Sequence, residues 1–392
     1  MPRIFLDGDP IEAEPEDTVA GALLRNGVTT FTRSIKYHRP RGPFCLAGSC
    51  GQCLMRVDGV PSLLACRIPA REGMRCERQN GPLGVENDLF RAADFLFPEG
   101  LDHHHLMVRS RLLGRVALEV ARRLAGLGEL PSQARTAGQG ELRVVRLAIV
   151  GAGPAGLSAA RAAGPGTLLL ERERRAGGAA LLFGGSPDVS AGAAELLLDA
   201  DCVGLYANDT SLPGNALLAV RHRDRLLAVA AEKVIVATGG VSQPLPFAGV
   251  DRPGVYAARG LLGLSARVGQ KLALVGDGEE ARRCGEALSR RGYGIIAVPG
   301  LPLRALGNPV QALDVAGGER IRCDAVALAF PPAPLHELAS SVGAEAHFDG
   351  AGFPVQADAE GRTAVPWLFA AGTVAARPAA ASGETAGSAA CR

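Results

Sequence analysis

Aromatic side chains are scarce in this chain of 392 residues: Phe, Trp and Tyr together make up 4% of it, with a single Trp. That shortage removes the stacking platforms on which single-stranded nucleic acids are held. An excess of charge of one sign is also missing. With 42 Lys and Arg against 40 Asp and Glu, the formal net charge of +2 offers no strong field to a polyanion or an anionic membrane surface. No apolar run is long enough to span a bilayer, and Asp7 and Asp9 stand where a secretory leader needs its apolar core. The expectation is a cytoplasmic protein of two or three domains, with no nucleic-acid partner and no transmembrane segment. Gly is abundant, 51 residues, as close backbone packing around nucleotides requires, although a compositional bias of the genome gives the same count.

Four of the nine cysteines fall between Cys45 and Cys66, in the order Cys45, Cys50, Cys53, Cys66 and the spacing C-x4-C-x2-C-x12-C. With no secretory leader, a disulfide framework is not expected. Structural zinc usually takes two separated pairs of thiols, whereas here three share one Gly-containing loop and the fourth stands alone. Three thiols on a loop and one arriving from a nearby strand suit a two-iron, two-sulfide cluster, two ligands to each iron. The spacing opens as in plant-type ferredoxins, and its early fourth Cys resembles the [2Fe-2S] domains of molybdenum hydroxylases and succinate dehydrogenases. Cys76 lies outside the set and reads as a small buried residue.

Around these cysteines, residues 3–14 alternate in polarity about a break at Asp7-Gly8, which predicts a hairpin. Asp17 or Thr18 can then cap a helix that Asn26-Gly27 ends. Hairpin, helix and Cys loop follow the order of a β-grasp ferredoxin domain, expected over residues 1–85.

The run Arg33-Ser-Ile-Lys36-Tyr-His38-Arg39-Pro-Arg41-Gly42 is similar to one in the alpha subunits of heterotetrameric sarcosine oxidases and of related [2Fe-2S]-containing amine and amino-acid dehydrogenases. Related chains include hydrogen cyanide synthase and opine oxidase subunits. Two further runs agree, Arg122 to Pro131 and Phe247 to Val255, so the resemblance extends over nearly the whole chain. Lys36, His38, Arg39 and Arg41 are candidates for tuning the cluster or meeting a partner subunit; the basic side chains would stabilise a reduced, anionic cluster. Residues 86–143 read as a helical connector. There Leu112, Leu113, Val116, Leu118, Val120 and Leu124 alternate with arginines in an amphipathic pattern, and His103-His104-His105 reads as a surface or interface patch, not a metal site.

The second strong motif begins at residue 146. An apolar strand ends at Val150, Gly151-Ala-Gly153-Pro154-Ala155-Gly156 opens a helix, and a second strand ends at Glu171. Gly151 permits the tight turn, Gly153 lets backbone approach a pyrophosphate, and Gly156 lets helix and strand pack closely. Glu171 is spaced to accept hydrogen bonds from an adenosine ribose. The motif reads only the ADP half of a ligand, so FAD, NAD and ATP all satisfy it. Stretches containing Arg172 and Gly178, Thr238 and Gly239, and Gly372 and Thr373 resemble the later fingerprints of two-dinucleotide-binding flavoproteins of the pyridine nucleotide-disulfide reductase type. That resemblance implies FAD, although Thr373 replaces the family's usual Asp near the ribityl chain, and relatives place NAD or another nucleotide at this site. The expected domains are a dinucleotide-binding domain, 144–265 with 331–392, and a second nucleotide-binding-like domain, 266–330. In the latter, Gly276-Asp-Gly278 follows a good strand, but Glu279 and Glu280 stand where phosphates would meet the helix, and no acid or Arg ends the next strand. The fold class is α/β with an N-terminal α+β domain.

The dinucleotide domains have no C-x-x-C, since Cys202, Cys284 and Cys323 stand apart, so disulfide-reductase chemistry is not expected. Nor does a convincing acid/base pair stand out, and the catalytic residues stay unassigned; His38 is the best single candidate. The resemblance implies that a separate beta-type flavoprotein subunit oxidises the amine, with an FMN at a subunit interface and sometimes a further small subunit. The resulting expectation is an electron-transferring alpha subunit acting with a partner on sarcosine-, proline- or opine-like secondary amines. Two rivals are a self-contained NAD(P)H-dependent reductase and a non-catalytic nucleotide-binding scaffold.

Overall fold

The computed structural model describes residues 1–34, 38–79, 85, 140–184, 187–223 and 225–392. The connector expected over 86–143 lies outside these up to residue 139, as do Lys36, the His103–His105 run and the amphipathic segment. The chain divides into two compact units, Met1–Ala134 with Pro244–Phe330, and Arg135–Gln243 with Pro331–Arg392. Six α-helices fall among the described residues: α1 (Val19–Arg25), α2 (Pro154–Ala163), α3 (Ala258–Gly263), α4 (Gly278–Arg290), α5 (Glu337–Ser340) and α6 (Ala379–Ala390). None is long and apolar enough to cross a membrane.

The first unit opens with the expected hairpin, Arg3–Leu6 paired antiparallel with Asp9–Glu12 around Gly8 at φ 101°. Helix α1 follows, capped by Thr18, whose hydroxyl accepts from the Gly21 N–H at 3.1 Å. Asp17 has a different task. It is 1% exposed and accepts from the Arg25 guanidinium at 3.0 Å twice, from the Glu14 N–H, and from the Ser265 hydroxyl. A five-stranded sheet completes the β-grasp domain, with Arg3–Leu6 beside Arg75–Glu77, and then Leu54–Val57 and Val60–Leu64 at the far edge. Cys76 is buried in it, its thiol pushed up to about 12 by that burial.

The same unit contains the second nucleotide-binding-like lobe. Its parallel sheet runs Val255–Ala257, Ala325–Leu328, Lys271–Val275, Gly294–Ala297, backed by α3 and α4. Val255–Ala257 pairs with Ala325–Leu328 in this lobe, and the two compact units divide at Gln243/Pro244. Two spans read from sequence as separate domains, the ferredoxin domain and this lobe, thus belong to one compact body.

The second unit is built on a parallel core of Glu195–Leu197, Thr167–Leu170, Glu141–Val150 and Arg225–Val236. Arg225–Val236 is long enough to serve two neighbours on its other edge. Its first half pairs antiparallel with Ala216–His222, and its last residues pair parallel with Leu368–Ala370. Helix α6 brings the C-terminus back onto α2 through small residues. A Cβ on Gly383 would overlap the Ala155 carbonyl, and one on Gly387 the Ala159 carbonyl.

Candidate cluster and dinucleotide sites

Local backbone geometry gathers the four thiols. After Cys45 the chain curls through left-handed residues, Leu46 at φ 51°, Gly48 at 79° and Gly51 at 67°. The curl turns the N–H groups of Ala47 and Ser49 onto the Cys45 Sγ, at 3.4 and 3.3 Å. Cys53 and Cys66 flank a hairpin in which Leu54 faces Leu64, and the Ala65 N–H donates to the Cys53 carbonyl at 3.1 Å. The sulfurs are hydrogen-bonded among themselves, Cys45 with Cys50 and Cys66, and Cys53 with Cys66. Cys45, Cys53 and Cys66 are buried, and Cys50 is partly exposed.

These bonds divide the thiols into two kinds. Cys45 is held far below the ordinary thiol range by bonds from Cys50 and Cys66, and Cys53 is lowered by its bond from Cys66. Cys50 and Cys66 are driven up as the donors of those bonds. Metal ligation needs thiolates, and one loop and one hairpin bring four cysteine sulfurs together to supply them. The peptide N–H groups on Cys45 supply the outer-shell bonds that offset a sulfur's negative charge in an iron-sulfur cluster. Among the described residues no three His, Cys, Asp or Glu groups are disposed around a single metal ion. The four cysteines fit a [2Fe-2S] cluster.

The basic run is placed in part. His38 is buried at φ 51°, and its carbonyl accepts from Arg33 at 2.7 Å. The Arg33 Nε donates to the Val85 carbonyl at 2.6 Å, so a buried arginine given no role by the sequence reading is what secures this loop. The Arg39 N–H is fixed by the Ser34 hydroxyl at 3.0 Å. Arg41 forms an ion pair with Asp251 inside the same unit.

In the second unit the glycine motif takes the expected shape. Gly151 sits at φ 103°, where a Cβ would fall 2.5 Å from the Ala237 carbonyl, and a Cβ on Gly156 would overlap the Gly151 carbonyl. Gly153 caps α2 with open space where its side chain would be, and Pro154 takes the first helical position. Ala155 is buried beneath α6. Together these leave a helix N-terminus with bare backbone N–H groups, the cradle that a pyrophosphate fits.

Glu171, 6% exposed, accepts from the Ala152 N–H on one oxygen and the Glu173 N–H on the other, both at 2.8 Å. Burial raises its pKa in spite of those two bonds. It therefore holds the glycine turn as well as standing at the strand end where a ribose would lie. Arg172 follows it, half-buried. Gly178 packs its backbone directly on Gly153. The Thr238 hydroxyl donates to the Leu335 carbonyl at 2.7 Å, and Gly239 turns at φ 73°. Gly372, at φ 77°, donates its N–H to the Ser382 hydroxyl at 2.9 Å, and Thr373 is half-buried beside it. All the expected nucleotide residues thus belong to one unit.

Cys202, Cys284 and Cys323 stand apart, their thiols pushed up to about 12, 12 and 11 by burial.

Residues 2–81 match the model of a 2Fe-2S iron-sulfur cluster binding domain. Over 83 residues the chain is 35% identical to hydrogen cyanide synthase subunit HcnA of Pseudomonas aeruginosa, which covers 21% of this chain and 79% of that one. It is 27% identical over 367 residues to the sarcosine oxidase subunit alpha of Rhizobium meliloti, covering 82% of this chain and 36% of the relative. The chain belongs to the family of sarcosine oxidase alpha subunits and HcnA. It is an oxidoreductase family, and both relatives are named as subunits. The chain spans about a third of the length of the sarcosine oxidase alpha subunits it matches, 36% and 34%. Among solved structures, L-proline dehydrogenase from P. horikoshii superposes with a TM-score of 0.74 at 21% identity, covering 99% of this chain and 71% of that one. That likeness establishes the shared fold, a [2Fe-2S] ferredoxin domain joined to a flavoprotein-type pair of nucleotide-binding folds.

Proposed function

We propose that the chain is the electron-transferring alpha subunit of a cytoplasmic, multi-subunit amine or amino-acid dehydrogenase or oxidase. Cys45, Cys50, Cys53 and Cys66 hold its [2Fe-2S] cluster, and an adenine dinucleotide, FAD in the first instance, lies on Gly151–Gly156. The observation that carries this reading is the four-thiol set, buried at Cys45, Cys53 and Cys66 and closed at Cys45 by peptide N–H bonds, on a chain related to sarcosine oxidase alpha subunits over 82% of its length. A cluster supplies one-electron transfer and a flavin two-electron exchange. The residues of this chain bind and orient those groups: peptide N–H groups stabilise the Cys45 sulfur, Gly153 leaves the helix N-terminus open, and Glu171 holds the turn beneath it. Oxidation of a sarcosine-, proline- or opine-like secondary amine, an FMN at the interface and any small third subunit are assigned to partner chains, because His38, the best acid/base candidate here, is buried.

The NAD(P)H-dependent alternative needs a second phosphate site at the start of α4. That turn carries Glu279 and Glu280, bonded to Arg282 and Arg259, so negative charge already occupies it. The test is to isolate the native complex and identify its chains, flavins and nucleotides by mass spectrometry, then to repeat turnover with Cys50→Ser. A co-purifying flavoprotein subunit and a variant that assembles but no longer passes electrons are expected. A lone chain with complete amine oxidation, or a variant with full turnover, would overturn the proposal.

A further inference from the structure

The cluster loop and the second nucleotide-like lobe share one core. Phe44 and Cys45 pack with Val255, Ala257, Ala273 and Leu328, and the Ala257 N–H donates to the Phe44 carbonyl at 2.9 Å. Helix α3 begins at the next residue. Its Gly260 lies so close to the cluster loop that a Cβ would overlap the Cys45 carbonyl oxygen and fall 3.0 Å from the carbonyl carbon and 3.1 Å from the Leu46 Cβ. Arg259, the residue before, is clamped by both oxygens of Glu280 at 2.6 and 2.9 Å. Glu280 sits in the first turn of α4, 9% exposed, where a negative charge complements the helix N-terminus. A nucleotide phosphate at that turn would have to displace this pair.

We infer that Gly260 and the Arg259–Glu280 pair are positioning residues for the cluster ligand Cys45, and that the second lobe serves as the cluster's backing in place of a pyridine-nucleotide site. This rests on Cys45 being a ligand, as proposed above. The lobe keeps the strand, turn and helix of a nucleotide-binding fold, but the charge that a phosphate would bring is supplied by Glu280. That carboxylate fixes Arg259 and with it the pitch of α3 against the Cys45 peptide. The peptide whose oxygen meets Gly260 belongs to the residue whose sulfur receives two N–H bonds, so a shift there moves a ligand and its outer-shell donors together.

The spectrum of the cluster separates this role from ordinary stability, because the backbone clash weighs against the small gain in helix propensity in the iron-free chain too. An Ala at an interior helical position is favoured over Gly by about 1 kcal/mol, so Gly260→Ala offers the helix a gain and the cluster loop a clash. Removing outer-shell support typically costs about 10- to 100-fold in metal affinity or activity.

The experiment uses the full chain loaded anaerobically with iron and sulfide. Iron release to a chelator and the electron paramagnetic resonance of the reduced protein are compared for wild type, Gly260→Ala and Glu280→Gln, with thermal melting of each iron-free chain. Gly260→Ala is expected to release iron about tenfold faster with altered g-values, beyond any lowering of melting that the same backbone clash brings to its iron-free form. Glu280→Gln should shift both readouts the same way, less strongly. Wild-type release and g-values in Gly260→Ala would overturn the inference. Should that variant fail to fold, wild-type behaviour in Glu280→Gln would overturn it. A wild-type chain that takes up no iron would instead refute the ligand assignment, and this inference with it.

Discussion

Gly178 has no room for a side chain against Gly153: a Cβ placed on it would lie 3.0 Å from the Gly153 Cα, with φ at 52°. Two glycines distant in sequence thus meet at the N-terminus of α2, the proposed nucleotide cradle. Gly178→Ala is expected to lose about 1–2 kcal/mol from its left-handed backbone, with further displacement of Gly153. Lower adenine-dinucleotide content of the purified chain, and weaker binding by calorimetry, would register it. Undiminished binding would separate Gly178 from the site.

Glu171→Gln keeps the shape of the side chain and removes a buried charge that its surroundings disfavour. Even so, it should destabilise the second unit. Both carboxylate oxygens accept from peptide N–H groups, Ala152 and Glu173, so whichever way the amide turns, its NH2 faces a donor. A buried donor left unmatched costs about 1–3 kcal/mol. Urea denaturation should show the loss, and a variant as stable as wild type would mean that relief of charge outweighs the broken bond.

Acid should loosen the contact between α1 and residue 265. Burial would raise the Asp17 pKa, but bonds from Arg25, Ser265 and Glu14 outweigh it and leave the group below its ordinary value. A depressed carboxylate contributes stability that is complete above its unfolded pKa of about 3.9 and is lost as pH falls through the folded value. Thermal melting of wild type should therefore decline below about pH 4, and Asp17→Asn should flatten that limb while costing roughly 2 kcal/mol at neutral pH. Parallel acid limbs in the two proteins would exclude Asp17 as the cause.

Gly387→Ala tests the helix contact that closes the second unit. The Cβ would overlap the Ala159 carbonyl on α2, and the close-packed interior has no slack to receive it. A loss of about 1–3 kcal/mol is expected by chemical denaturation, against the gain that Ala offers an isolated helix. A more stable variant would show that α6 can retreat from α2 without harm.

Much of this was readable from sequence because its causes are local. The Asp7-Gly8 hairpin, the Thr18 cap, the glycine turn at Gly151 and the thiol spacing each depend on residues a few positions apart. Where the reading fell short, the partners were distant. Asp17 was read as a candidate cap, yet it answers to Ser265, 248 residues on. Nothing in the residues next to Arg33 marks it, although it ties His38 to Val85. Arg41, a candidate for tuning the cluster or meeting a partner subunit, pairs with Asp251, which no local pattern announces.

By itself, the sequence determined the local shapes on which the proposed chemistry rests, since four thiols at C-x4-C-x2-C-x12-C and a strand-glycine-helix turn are set by short-range backbone geometry. Only the tertiary structure decided which lobe the cluster domain joins. A contact such as Gly260 on the Cys45 carbonyl is set by the fit of two surfaces, and a glycine written alone carries no mark of what it must approach.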